Sequence, residues 1–203
     1  LSYMWTYEER PVSTAIDLFQ RANEADPNFA PAYAYLAYSY YIKLILGYAE
    51  APEVLLEKGL EAAQKAIKFD SHDAMSYFAI GRILMMKGHH DESIEALKKS
   101  IDLNPCFAQA YHGLGFALAL AGQLEESKLT TEKAVDLSPR DPMLWAFTIV
   151  HAFTCILDND YEASLKWYRR TMQLPNAAGY WPHAIKAAAS ANLDHLEDAK
   201  KAL

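Results

Sequence analysis

Tyr77-Phe78-Ala79-Ile80-Gly81 and Tyr111-His112-Gly113-Leu114-Gly115 are one phrase written twice, 34 residues apart. Trp145 supplies an aromatic a further 34 residues on, and Pro105 and Pro139 keep the same step. Upstream, Tyr33-Ala34-Tyr35-Leu36-Ala37 and Pro27 fit the frame once the spacing is enlarged to 44. The ten extra residues are expected around Leu46–Glu53, between two helices. Self-similarity at one period of this size is the signature of a repeat architecture.

Each repeat has the same internal grammar. An aromatic is followed three and four residues later by an aliphatic and a small residue, Ile80-Gly81 or Leu114-Gly115. A turn glycine comes next, Gly88 or Gly122, and then a second segment with small residues at Ser93 and Ser100, or Ser127 and Ala134. The unit closes on Ile101-Asp-Leu-Asn-Pro105 or Val135-Asp-Leu-Ser-Pro139. Apolar residues fall at helical spacing throughout, with no competing strand alternation. With 8 Gly and 9 Pro in 203 residues and abundant Ala, the composition favours helix. Small residues let paired helices approach closely, and proline ends one unit without entering the next helix.

An aromatic, an aliphatic-Gly pair, a small residue and a proline at a 34-residue period resemble the tetratricopeptide repeat. The resemblance implies an all-α, right-handed superhelical solenoid of antiparallel helix pairs. It divides the chain into a partial repeat at 1–29, repeats at 30–73, 74–107, 108–141 and 142–179, and a truncated repeat at 180–203. The fourth departs, with Thr148-Ile149 where the aliphatic-Gly pair is expected and a lengthened first helix. Because the chain opens on Leu1 and the last repeat stops within its second helix, it reads as a piece of a longer protein. Asp26–Ala37, Leu137–Phe147 and Leu174–Trp181 are similar to repeats that follow bacterial class III adenylate/guanylate cyclase domains or winged-helix regulator domains. That narrower likeness implies a bacterial signalling parent.

One hairpin cannot bury both its faces, so such units stabilise one another by stacking. Tyr33, Tyr77, Tyr111 and Trp145 therefore read as packing between helices rather than as ligand platforms. Gly81 and Gly115 lie within helices without a phosphate-loop context, and read as sites of close approach. In the family, five positions of the first helix line a concave groove. Carried over residue by residue, they are Ala34, Tyr38, Tyr41 and Ile42; Met75, Phe78, Arg82, Met85 and Met86; Gln109, His112, Phe116, Ala119 and Leu120; Met143, Ala146, Val150 and Phe153; and Trp181.

This set is apolar and aromatic, with Arg82 its one fixed charge. It suits an amphipathic helix or an apolar peptide; equally, a tight superhelix would pack these side chains on one another. Arg82 is open to two readings, an anchor for a carboxylate or an internal partner. The family's clamp for acidic chaperone tails needs Lys, Asn and Arg where this chain has Ala34, Tyr38, Phe78, Arg82, His112 and Phe116, so a chaperone co-factor role is disfavoured.

The remaining chemistry is bland. His89-His90-Asp91 occupies a turn and lacks a metal-ligand pattern. His112 and His151 read as partly buried packing residues, and His183 belongs to the helix after Trp181. No nucleophile elbow or thiolate pair occurs, so no catalytic, metal or cofactor site is implied, and the fragment is expected not to be an enzyme. Asp91-Glu92 and Glu125-Glu126 open second helices, where negative charge is favourable. A net charge of -7 argues against nucleic acid, and the longest apolar stretches are too short to span a membrane. Two distant cysteines, Cys106 and Cys155, fit a reducing cytoplasm. The expected partner is a protein, a peptide or a neighbouring domain of the same polypeptide; the alternative is a homodimer that brings attached cyclase or regulator domains together.

Overall fold

The computed structural model describes residues 9–177 and 180–202. The start of the partial repeat, the boundary at Gly179 and the terminal Leu203 lie outside the described residues. Those described form eleven helices and no strand. They gather in two compact units that meet in sequence between Pro105 and Cys106.

The first unit holds α1 (Glu9–Ala25), α2 (Ala30–Ile45), α3 (Pro52–Phe69), α4 (Ala74–Met86) and α5 (His90–Leu103). Within it α2 packs on α1, α3 and α4, and α4 packs on α3 and α5. Prolines open α2 and α3, where a missing N–H costs nothing. Asp73 caps α4, accepting from the amides of Met75 and Ser76 at 3.2 and 2.8 Å. The ten extra residues are spread more widely than the sequence implies. Relative to α4 and α5, α2 is longer by three residues (16 against 13) and α3 by four (18 against 14). Only three enlarge the connection, which is 46–51 against 87–89. Lengthening both helices of a pair keeps them in contact, whereas a ten-residue loop would have to cross the surface unpaired.

The second unit holds α6 (Ala108–Leu120), α7 (Leu124–Leu137), α8 (Leu144–Leu157), α9 (Tyr161–Thr171), α10 (Tyr180–Asn192) and α11 (Leu196–Ala202). The pairs α6–α7, α8–α9 and α10–α11 each pack together, and α8 touches both α6 and α10. Asp160 caps α9 through the amide of Ala163 at 3.0 Å. Its core includes Phe147, Leu118 and Val135, with Ile149, Ala152 and Ile185 forming a cluster against Trp145 and Trp167.

Every hairpin from α2–α3 onward ends its first helix in the same way. One residue adopts a left-handed backbone: Gly47 (φ 73), Gly88 (φ 79), Gly122 (φ 77), Asn159 (φ 60) and Asp194 (φ 59). The next amide then bonds back five residues, Tyr48 to Lys43, His89 to Leu84, Gln123 to Leu118, Asp160 to Cys155 and His195 to Ser190, at 2.9–3.1 Å. This satisfies carbonyls that the helix end leaves open, and it uses the residues that tolerate positive φ best.

Close approach is equally regular. A β-carbon on Gly81 would meet Leu97 Cγ at 2.6 Å, and one on Gly115 would meet Thr131 Cγ2 at 2.4 Å. Across the same contact, Ser93 Oγ donates to the Gly81 carbonyl and Ser127 Oγ to the Gly115 carbonyl, both at 2.7 Å. Ser164 Oγ makes the third such bond, to the Ala152 carbonyl at 2.9 Å. The counterpart of Gly115 in α8 is therefore Ala152, 37 residues on, and not Ile149. Two of the three extra residues lie in the connection 138–143, which has six residues where α3 and α4 are joined by four. The third lengthens α8 to 14 residues against 13 in α6.

Candidate functional site

In the first unit the predicted groove residues pack on one another. Tyr38 and Tyr41, one turn apart on α2, stack at 5.7 Å, and Tyr38 meets the ring of Phe78 on α4 at 5.1 Å. Arg82 lies with its guanidinium carbon 4.4 Å from the Tyr41 ring centre and donates to the Tyr41 hydroxyl. At 4 % exposure it is an internal cation held over an aromatic face. Ile42 and Met85 are buried beside them, and of the nine predicted positions only Met86 is exposed. Helix spacing alone places these residues on one face; large rings on neighbouring helices then close that face by covering each other.

The second unit differs. His112 is buried and stacks on Phe147 at 5.0 Å. Beyond it, three helices each send one half-buried ring to a common point. Phe116 of α6 meets Phe153 of α8 at 5.9 Å and Trp181 of α10 at 5.7 Å, and Phe153 meets Trp181 at 6.0 Å. All three contacts are steep, 71–88° between planes, the edge-to-face arrangement that aromatic quadrupoles favour. Trp181 is oriented by its indole N–H, which donates to the hydroxyl of Tyr180 at 2.8 Å.

The corrected register revises the fourth repeat. Phe153 takes the place of Phe116 and Leu157 that of Leu120. Val150 corresponds to Gly113 and is buried, so it does not belong to the face. Leu120 and Leu157 are exposed at 39 and 40 %. On α10, Ala184 and Ala188 follow Trp181 by three and seven residues, which puts them on its side of the helix, and they are exposed and half-buried respectively. α6 and α8 carry no Asp, Glu, Lys or Arg at all, and α10 carries only Lys186. Sequence reasoning missed Leu157, Ala184 and Ala188; the available signal was Asn159, a left-handed turn residue 37 positions after Gly122.

Behind this face lies a buried polar contact that helical periodicity does not announce. His151 Nδ1 and Thr131 Oγ1 are 2.8 Å apart, and Trp167 covers the imidazole at 4.1 Å. His151 is 4 % exposed, more enclosed than a partly buried packing residue. Burial, with the nearby charges of Lys128 and Arg170, lowers its pKa to about 4. Burial likewise raises the Cys155 thiol to about 11, which keeps it protonated and unreactive. His89 of the His-His-Asp turn lies against Glu92, with Nδ1 2.9 Å from Oε1. Among the described residues no three His, Cys, Asp or Glu side chains are grouped to hold a metal ion, and no helix is long and apolar enough to cross a membrane.

A family model described as TPR repeat matches residues 81–122, and one described as tetratricopeptide repeat matches 108–141. No curated protein matches the chain. Among solved structures, that of PilW, titled a widely conserved type IV pilus biogenesis factor, is similar with a TM-score of 0.73 at 14 % identity, over 95 % of this chain and 83 % of that one. The pilF protein of Pseudomonas aeruginosa is similar with a TM-score of 0.67 at 17 % identity, over 99 % of this chain and 87 % of that one. YrrB, titled a TPR protein with an unusual peptide-binding site, gives 0.57 at 17 % identity over 91 and 88 %. At such identities the likeness shows the fold alone. The chain carries tetratricopeptide repeats across residues 81–141 and has the all-α, helix-pair fold of tetratricopeptide-repeat proteins.

Proposed function

We propose that the chain is a protein-interaction scaffold whose second unit binds an apolar or amphipathic segment of a protein partner on the face built from Phe153, Trp181, Leu157, Ala184 and Ala188. Tetratricopeptide-repeat proteins generally act as such scaffolds, binding protein or peptide partners. The observation that carries the reading is the convergence of three half-buried rings from three successive first helices, on a surface almost without charge. Aromatic anchors at the centre of an apolar patch are where binding energy concentrates. Exposed leucines and alanines around them are surface that a partner would remove from water.

Phe153→Glu tests this. Placing a carboxylate among the rings should weaken binding of a fluorescent amphipathic helical peptide by at least about tenfold, since burying an unpaired charge costs several kcal/mol. Circular dichroism should retain its helical signal. Unchanged affinity in a folded variant would contradict the reading.

The wider setting is proposed on the sequence phrases alone. Their likeness to repeats beside cyclase and winged-helix domains supports a bacterial signalling protein in which the scaffold, itself without catalysis, serves an attached domain in the cytoplasm. In that setting the occupant of the face is a separate protein, a neighbouring domain of the same polypeptide or a second copy of the chain.

A further inference from the structure

The second unit is not electrically symmetrical about its apolar face. α6, α8 and α10 all end at the hairpin turns where α7, α9 and α11 begin, so the partial charges of the paired helix ends oppose one another and the side chains set the sign of the charge along that rim. The turns are acidic. Asp158 and Asp160 flank the turn after α8, Asp194 stands in the turn after α10, and Glu125 and Glu126 open α7 after the third. The rim already holds one ammonium group: Lys128 pairs with Glu125 at 2.9 Å and with Asp158, and both partners raise its pKa. Asp194 is exposed. The opposite end is different in character, since α9 finishes there with Arg169 and Arg170 in its last turn.

From this we infer that the partner of the second unit is a segment with an apolar body and a cluster of Lys or Arg at one end, seated with that basic end against the Asp158–Asp160–Asp194 rim. The inference rests on the scaffold reading above and adds the partner's charge and its direction along the face. An apolar surface bordered at one end by carboxylates rewards a cation there and repels an anion. The apolar body supplies affinity; the rim decides which way round the segment lies.

Three synthetic helical peptides with the same apolar face test it, ending in three Lys, three Gln or three Glu. With the full chain at low salt, the Lys-ended peptide should bind about tenfold more tightly than the Glu-ended one, and the gap should close at high ionic strength. Asp158→Asn, Asp160→Asn and Asp194→Asn together should abolish the gap and leave the Gln-ended peptide unaffected. Asn preserves both the cap at position 160 and the left-handed backbone at 194. Equal binding of the Lys- and Glu-ended peptides would overturn the charge assignment while leaving the scaffold reading intact. Failure of all three peptides to bind would overturn both.

Discussion

Gly115→Leu is expected to cost about 3 kcal/mol of stability, the upper end of what an overpacked core incurs. The new β-carbon alone would stand 2.4 Å from Thr131 Cγ2 and 3.4 Å from both the Ser127 carbonyl and the Thr131 amide. Thr131 cannot yield easily, because its hydroxyl is bonded to the carbonyls of Ser127 and Lys128. The pair must separate, and the Ser127–Gly115 bond is then lost as well. For a chain of this size the thermal midpoint should fall by roughly 6–12 °C. An unchanged midpoint would mean that α6 and α7 do not meet through Gly115.

The second large effect is a pH dependence centred on His151. In the folded chain its pKa is about 4, against an ordinary 6.5, so folding favours the neutral ring. The stabilisation is complete above pH 6.5 and is lost as the pH falls from there to about 4. The difference amounts to about 3 kcal/mol. The groups that oppose protonation are Lys128 on α7 and Arg170 on α9. His151→Leu should flatten this part of the curve. The repeat itself supports the substitution, since His151 corresponds to Leu114, which is buried in the preceding first helix. Thr131 keeps two carbonyl partners without the imidazole. Urea midpoints at pH 7 and pH 4.5 for the two proteins decide it; equal acid sensitivity would place the titrating group elsewhere.

How much of this was legible in the residues depends on which physical constraint left a mark on them. The glycine contacts did, because close approach of two helices admits few residue types and Gly81 and Gly115 recur at the period. Gly59 is packed just as closely, its β-carbon position 2.6 Å from Ile83 Cδ1, yet it stands outside the repeat phrase and is invisible to a search for recurrence. The three extra residues of the fourth repeat were hidden by coincidence. Pro139 keeps the 34-residue step because the insertion follows it, and Trp145 happens to offer an aromatic at the expected place. Left-handed turn residues were the better ruler, since the hairpin geometry permits only one per turn.

The functional face was legible in composition but not in exposure. Tyr38, Tyr41 and Phe78 read as groove residues by spacing, and so did Phe153. What separates them is how the neighbouring helices fill the space. In the first unit, rings and Arg82 cover each other, whereas in the second the alanines of α10 leave the rings partly uncovered. That is a property of pairs of helices, and no single helix states it.

The most direct measurement is a nuclear magnetic resonance titration of the methyl-labelled chain with the Lys-ended amphipathic peptide. Binding on the proposed face should shift the methyl signals of Leu120, Leu157, Ala184 and Ala188, while Leu129, which is 68 % exposed on α7, should stay in place. Shifts confined to Leu129 and the second helices, with α8 and α10 silent, would contradict the account.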